Sequence, residues 1–180
     1  MPKFTGDGVS GVIDGKLYVL PGTCSTEDGS CSLEPIRQLY RYDPASNSWV
    51  TRRPAPHFHK NGAAAVIGGK LYVAGGFNGS RPVADLDVYD PATNSWTTLA
   101  PMPAAGRAIG AALGGKLFVI TSAMHAYDPR TNTWQVKAAP GWSHAALVRV
   151  LLNGRGALLA VGGYQGVHND IPTPTELYTP

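Results

Sequence analysis

The apolar positions of this chain fall in short runs, each cut off by Gly, Asp, Asn or Pro, and the runs recur in a fixed order. Small apolar segments lead: Val9-Ser-Gly-Val-Ile13, Gly62-Ala-Ala-Ala-Val-Ile67, Ile109-Gly-Ala-Ala-Leu113 and His144-Ala-Ala-Leu-Val148. Each is followed by a bulkier run. Asp14-Gly-Lys-Leu-Tyr-Val-Leu20, Gly68-Gly-Lys-Leu-Tyr-Val-Ala74 and Gly114-Gly-Lys-Leu-Phe-Val-Ile120 nearly superimpose, and Gly156-Ala-Leu-Leu-Ala-Val161 is a looser version. Runs this short, bounded by turn residues, predict strands rather than helices. The Asp-Gly and Gly-Gly pairs supply the positive φ of a tight hairpin, which makes the first two strands of each unit antiparallel neighbours.

A third echo closes the unit. Tyr42-Asp-Pro-Ala-Ser-Asn-Ser-Trp49, Tyr89-Asp-Pro-Ala-Thr-Asn-Ser-Trp96 and Tyr127-Asp-Pro-Arg-Thr-Asn-Thr-Trp134 share Tyr, Asp, Pro, Asn and Trp at the same positions. A fourth copy begins at Glu176-Leu-Tyr178-Thr-Pro180, and successive Tyr residues lie 47, 38 and 51 apart. Asp-Pro-x-x-Asn predicts a turn between strands three and four: Pro presets φ, Asp bonds back to the turn amides and Asn tolerates the left-handed region. Tyr ends strand three, and Trp opens strand four with a large face to bury against a neighbouring sheet. The units expected are blade 1 at 8–53, blade 2 at 61–100, blade 3 at 108–138 and an incomplete blade 4 at 143–180 without its outer strand. One four-stranded sheet cannot bury both faces, and stacking such sheets radially gives a propeller. The Ala/Gly-rich first strands suit the crowding near its axis.

In these motifs the chain resembles the kelch-repeat family. The pairs Gly75-Gly76 and Gly162-Gly163, the Tyr-Asp-Pro and the downstream Trp match that family's signature, across essentially the whole chain. Pro21-Gly22 and Thr121-Ser122 depart from it at the glycine-pair position. The resemblance implies an all-β propeller, spanning 1–180 as one domain or a partial ring. The family's rings usually have more blades than the four visible here. An open arc exposes two apolar faces and a strand edge, so self-association into a larger ring is expected, unless the chain is itself part of one.

Strand parity places the tight turns at one end of each blade. The connections 21–37, 51–61, 76–84, 100–107, 137–143 and 163–175 fall at the other, and loops on a rigid scaffold carry function. In or beside them lie Arg52, Arg53, His57, His59, Lys60, Phe77, Asn78, Arg81, Arg107, Trp142, His144, Tyr164, Gln165 and His168. Cations interleaved with aromatics suit acidic peptides or sugars. The expected role is therefore non-enzymatic recognition of a protein or glycan. The alternative implied by the resemblance is a sugar-modifying enzyme of the oxidase or mutarotase type.

Sharper chemistry is sparse. His57-Phe-His59 can turn two imidazoles to one side of an extended segment, yet no third ligand is evident, so neither metal nor cofactor is expected. Copper-radical sugar oxidases have a longer chain and a cysteine cross-linked to tyrosine, whereas Cys24 and Cys31 share one local loop and are candidates for a disulfide. No Gly-x-Ser-x-Gly elbow appears. Gly106 and Gly110 precede no helix that would cradle a phosphate. His144, at the start of an inner strand, reads as structural.

Composition narrows the classes. Hydrophobic residues at 43% and charged ones at 15% argue against disorder, and 22 Gly with 15 Pro argue against long helices. No apolar run is long enough to cross a membrane, and the residues after Met1 do not read as an export signal. The expectation is a soluble chain, cytoplasmic by default and extracellular if processed. The net charge of +3 is spread out, with only Arg52-Arg53 adjacent, so neither nucleic acid nor membrane is an expected partner.

Overall fold

The computed structural model describes residues 4–25, 36–137, 145–165, 171–172 and 174–179, and among them the only regular structure is β-strand. A short ribbon pairs β1 (Phe4–Gly6) with β4 (Thr23–Ser25). The first full sheet orders β2 (Val9–Ile13), β3 (Lys16–Leu20), β5 (Leu39–Asp43) and β6 (Ser48–Arg52). The second orders β7 (Ala63–Ile67), β8 (Lys70–Ala74), β9 (Leu86–Asp90) and β10 (Ser95–Leu99). The third repeats the pattern with β11 (Ile109–Leu113), β12 (Lys116–Ile120), β13 (Met124–Asp128) and β14 (Thr133–Val136). The fourth has three strands among the described residues: β15 (Ala146–Leu152), β16 (Arg155–Val161) and β19 (Glu176–Tyr178). A second ribbon joins β17 (Tyr164–Gln165) to β18 (Ile171–Pro172). All pairings are antiparallel, and these sheets are blades of a β-propeller.

The turns follow local chemistry. Asp14-Gly15, Gly68-Gly69, Gly114-Gly115 and Asn153-Gly154 all hold positive φ at both positions, as a two-residue hairpin requires. In each octet the Asp carboxylate accepts the amide two residues on, from Ala45, Ala92 and Arg130 at 3.1, 2.9 and 3.0 Å. Asn47, Asn94 and Asn132 sit at φ 48, 51 and 54°. Their side-chain oxygens accept the Tyr42, Tyr89 and Tyr127 hydroxyls at 2.8, 2.8 and 2.7 Å. Lys16, Lys70 and Lys116 of the Gly-Lys-Leu echo then reach Asp43, Asp90 and Asp128, at 2.7, 2.8 and 3.3 Å. Two motifs far apart in the sequence thus form one clip across each blade.

Paired residues of antiparallel strands share a face, so register assigns the packing. Val9, Tyr18, Leu20 and Leu39 of the first blade pack on Leu71, Val73 and Tyr89 of the second. The second blade's opposite face, with Ala63, Ala65, Tyr72 and Leu86, meets Leu117, Val119 and Tyr127 of the third. The third blade's Phe118, Ile120 and Met124 meet Leu147, Leu158 and Ala160 of the fourth. The innermost strands β2, β7, β11 and β15 pack side by side in that order. Leu71, Val73, Leu117 and Val119 are 0% exposed. Their counterparts Leu17 and Val19 in the first blade are only half-buried, because no described blade covers that face.

The octet aromatics divide their work differently from the sequence reading. Tyr89 and Tyr127 are the fully buried members, while Trp49, Trp96 and Trp134 are half-buried. Trp stands on the outermost strand, at the rim, whereas Tyr is one strand further in. The Trp96 and Trp134 indoles donate to the carbonyls of Arg53 and Ala100, both at 2.8 Å. The same two residues donate their amides to Asn94 and Asn132, at 3.2 and 2.9 Å. Asn and Trp together therefore clasp the backbone leaving the preceding blade.

Candidate functional site

On the long-loop face, the residues entering the inner strands join backbone to backbone around the axis. The Asn61 amide donates to the Asp7 carbonyl at 2.7 Å, and the Ala108 amide to the Asn61 carbonyl at 3.0 Å. Asp7 and Asn61 adopt φ of 56 and 55°, the left-handed region that short polar side chains tolerate. The pair Gly75-Gly76, at φ 65 and 101°, follows β8 beside these bonds, where a Cβ would lie 2.6 Å from Met102 and 2.6 Å from the Lys60 carbonyl respectively. The signature glycines are therefore required by closeness as well as by φ.

Beside these bonds lies a depression of about 510 Å³, lined by Asp7, Gly8, Asn61, Gly62, Arg107 and Thr121 among others. Arg107 is exposed on its wall and has no ion-pair partner among the described residues. The Thr121 hydroxyl oxygen is buried there with no hydrogen-bond partner among the described residues. Lys60 lies 3.5 Å from the Asp7 carboxylate at the edge. An exposed guanidinium on the wall of a depression suits a small or extended ligand carrying a carboxylate or similar anion.

Close by, the connection from β6 to β7 is anchored on Asp87, a fully buried carboxylate of β9. Asp87 accepts the Thr98 hydroxyl at 2.8 Å, the His57 amide at 3.3 Å, His57 Nδ1 at 3.1 Å and His59 Nε2 at 3.1 Å. Burial alone would push its carboxyl up, but the His59 hydrogen bond and charge, with Thr98 and His57, outweigh that and hold it below the usual carboxylate range. His59 Nδ1 faces the Gly75 carbonyl at 2.8 Å. Both nitrogens of this buried ring are thus engaged, one with the Gly75 carbonyl and one with the Asp87 carboxylate.

The sequence candidates are distributed by this geometry. Arg107 and Lys60 stand at the axial depression. His57 and His59 both turn to Asp87, as an extended segment allows, but His59 is 2% exposed and its ring is fully engaged. That removes His59 from the accessible surface, and the cause is a buried partner 28 positions away that spacing does not reveal. Arg52 reaches the Tyr89 hydroxyl at 2.9 Å and belongs to the blade interface. Arg53 lines a second, more open depression of about 470 Å³ with Arg37 and Trp96. Phe77 bridges Lys60 and Pro82, and Asn78 turns the chain toward the exposed Arg81 by accepting the Ser80 and Arg81 amides. Tyr164 and Gln165 form β17. Trp142, His144, His168 and Cys31 lie outside the described residues, and with Cys31 the proposed bridge to Cys24. Among the described residues no group of three or more His, Cys, Asp or Glu is placed to hold a metal ion. Asp7, Asn61 and Asp87 are not singled out by the sequence, because each acts through a contact with a distant segment, and Thr121 stands out there only as a departure from the glycine pair.

One titratable group stands apart. His125 occupies in the third blade the position that Asp87 holds in the second, is 3% exposed, and has no partner for either ring nitrogen among the described residues. Burial pushes its imidazole down. Below about pH 6.5 the unfolded chain binds a proton that folded His125 refuses, so stability should fall as pH drops through that point. A further loss is expected below about pH 4, where unfolding lets Asp43, Asp87, Asp90 and Asp128 take up protons their folded carboxyls resist. Denaturant titrations at several pH values check both phases. His125→Leu should flatten the first and leave the second, and an unchanged profile would disprove the assignment.

A family model for the kelch motif matches residues 7–54 and 60–103. N-acetylneuraminate epimerase of Haemophilus influenzae (strain PittEE) is 38% identical over 73 residues, 39% of this chain and 18% of that protein. Kelch-like protein 35 of Mus musculus is 38% identical over 61 residues, 34% of this chain and 11% of that one. The matched stretches are thus less than a fifth of either relative. A solved structure titled "Structure of YjhT" superimposes with a TM-score of 0.72 at 22% identity, covering 92% of this chain and 62% of that one, a likeness of fold.

Proposed function

This chain belongs to the kelch family of β-propeller repeats, and from that premise we propose that it is a non-enzymatic binding module whose loop face takes an anionic stretch of a protein or glycan. The observation that carries the reading is the axial depression, with Arg107 exposed on its wall and in no ion pair among the described residues. An array of acidic peptides and glycans screened against the full chain tests it. Arg107→Ala should weaken the best ligand by about tenfold or more, the usual effect of removing an Arg anchor, while the melting temperature stays nearly constant because the side chain is exposed. A variant that binds fully would end this reading.

The similarity to N-acetylneuraminate epimerases favours a second reading, a sugar-modifying enzyme acting on a sugar acid in the same depression. Proton NMR of N-acetylneuraminate, with and without the chain, separates the two. Catalysed interconversion abolished by Arg107→Ala supports the enzyme, and spectra unchanged by the chain support the binding module. We also propose self-association as a property of the uncovered outer faces. Val12 is 61% exposed at one end of the array, and Val148, Leu152 and Leu177 are 42, 43 and 47% exposed at the other.

A further inference from the structure

The first and second interfaces between blades share one backbone plan, and the first carries side chains that the plan does not need. Between the first and second blades the Trp96 indole donates to the Arg53 carbonyl and the Arg53 amide to Asn94, at 2.8 and 3.2 Å. Between the second and third, Ala100 takes the place of Arg53 and meets Trp134 and Asn132 at 2.8 and 2.9 Å. Likewise the Arg37 carbonyl accepts the Ala55 amide at 2.7 Å, and the Ala84 carbonyl accepts the Met102 amide at 2.8 Å. Pro54 and Pro56 recur as Pro101 and Pro103, while Ala105 stands where Phe58 does. Alanine thus satisfies this joint at both positions, so its fold does not require the two guanidiniums.

Both guanidiniums line the depression of about 470 Å³, beside half-buried Trp96 and exposed Pro54 and Pro56. Arg37 is held ready: its Nη1 donates to the Pro56 carbonyl at 2.8 Å, and its guanidinium carbon lies 5.3 Å from the Phe58 ring centroid. Arg53 is fixed through its backbone, and its exposed side chain has no partner among the described residues. No carboxylate among the described residues lines the depression. The Thr98 hydroxyl is already given to Asp87 and the Trp96 N–H to Arg53. What stays open is a set of guanidinium donors next to an indole face and two proline rings.

We propose that this depression is a second anion site, one that takes a phosphorylated tyrosine of a partner protein. Two positive charges match a phosphate dianion, and the planar arginine forks match its oxygens. The indole and proline surfaces take the aromatic ring. A lone carboxylate would need only one of the two arginines. The site is independent of whatever ligand the axial depression holds.

The probe is N-acetyl-O-phosphotyrosine amide, titrated into the full isotope-labelled chain and followed by NMR at the Trp96 indole N–H, which Trp96→Phe identifies. That signal should move and saturate with a Kd below about 1 mM. Arg37→Ala combined with Arg53→Ala should weaken binding about tenfold or more, and the chain should stay folded because Ala84 and Ala100 serve at the equivalent places. N-acetyltyrosine amide and inorganic phosphate should each bind at least about tenfold more weakly than the probe. Equal binding of either, or full binding by the double variant, would overturn the assignment. So would movement confined to the Trp134 indole, or no movement at about 5 mM probe.

Discussion

Replacing Tyr89 with alanine is expected to destabilise the chain by about 3–5 kcal/mol, the range for removing a fully buried aromatic. Tyr89 is 0% exposed and sits between two blades, its ring 5.7 Å from Tyr18 and 5.1 Å from Trp96. Its hydroxyl donates to Asn94 at 2.8 Å and accepts from Arg52 at 2.9 Å, so truncation empties the interface and strands two polar partners. For a chain of this size each kcal/mol moves the melting temperature by about 2–4 °C, giving a fall of roughly 6–20 °C. Trp96→Ala, at a half-buried rim position, should cost clearly less, about 1–2 kcal/mol. Denaturant unfolding of the two variants decides it. If Trp96→Ala proves the more damaging, the division of labour within the octet is wrong.

Asp87→Ala is expected to be nearly as costly, about 3–5 kcal/mol, because it leaves several hydrogen-bonding groups around a buried site without their acceptor, at about 1–3 kcal/mol each. His59 would face an empty space, and the Thr98 hydroxyl and His57 amide would each lose an acceptor. Asp87→Asn keeps the shape and one acceptor oxygen, so it should fall between the wild type and the alanine variant. The damage should begin locally, since Asp87 holds the β6–β7 connection that carries Lys60 and Asn61. Hydrogen exchange in residues 57–62 should therefore rise in Asp87→Asn even where global melting changes little. Unaltered exchange there, together with an alanine variant of wild-type stability, would show that the cluster is incidental.

The chemistry of one sheet face was legible wherever it depended on neighbours in sequence. Asp14-Gly15 and Gly68-Gly69 announce hairpins because only certain residues accept positive φ, and Asp-Pro-x-x-Asn announces its turn for the same reason. The fourfold echo implied stacked blades, since a single sheet leaves a face uncovered. The candidate site was legible only in part. Arg107 and Lys60 could be placed on the loop face by strand parity, but nothing local shows that Lys60 leans on Asp7 or that His59 is buried against Asp87.

By itself, then, the sequence determined the strands, the turns and the repeated blade, because these rest on the conformational preferences of residues a few positions apart. Tertiary structure alone decided which face of each blade is buried most deeply and which octet aromatic lies at the rim. It also decided which polar groups are spent and which remain available. The Asn–Trp clasp, the Asp87–His59 pair and the bonds linking Asp7, Asn61 and Ala108 all join segments more than 25 positions apart. Their partners are chosen by how one twisted sheet settles on the next, and a hydrogen bond across that interface leaves no periodic trace in the chain that makes it.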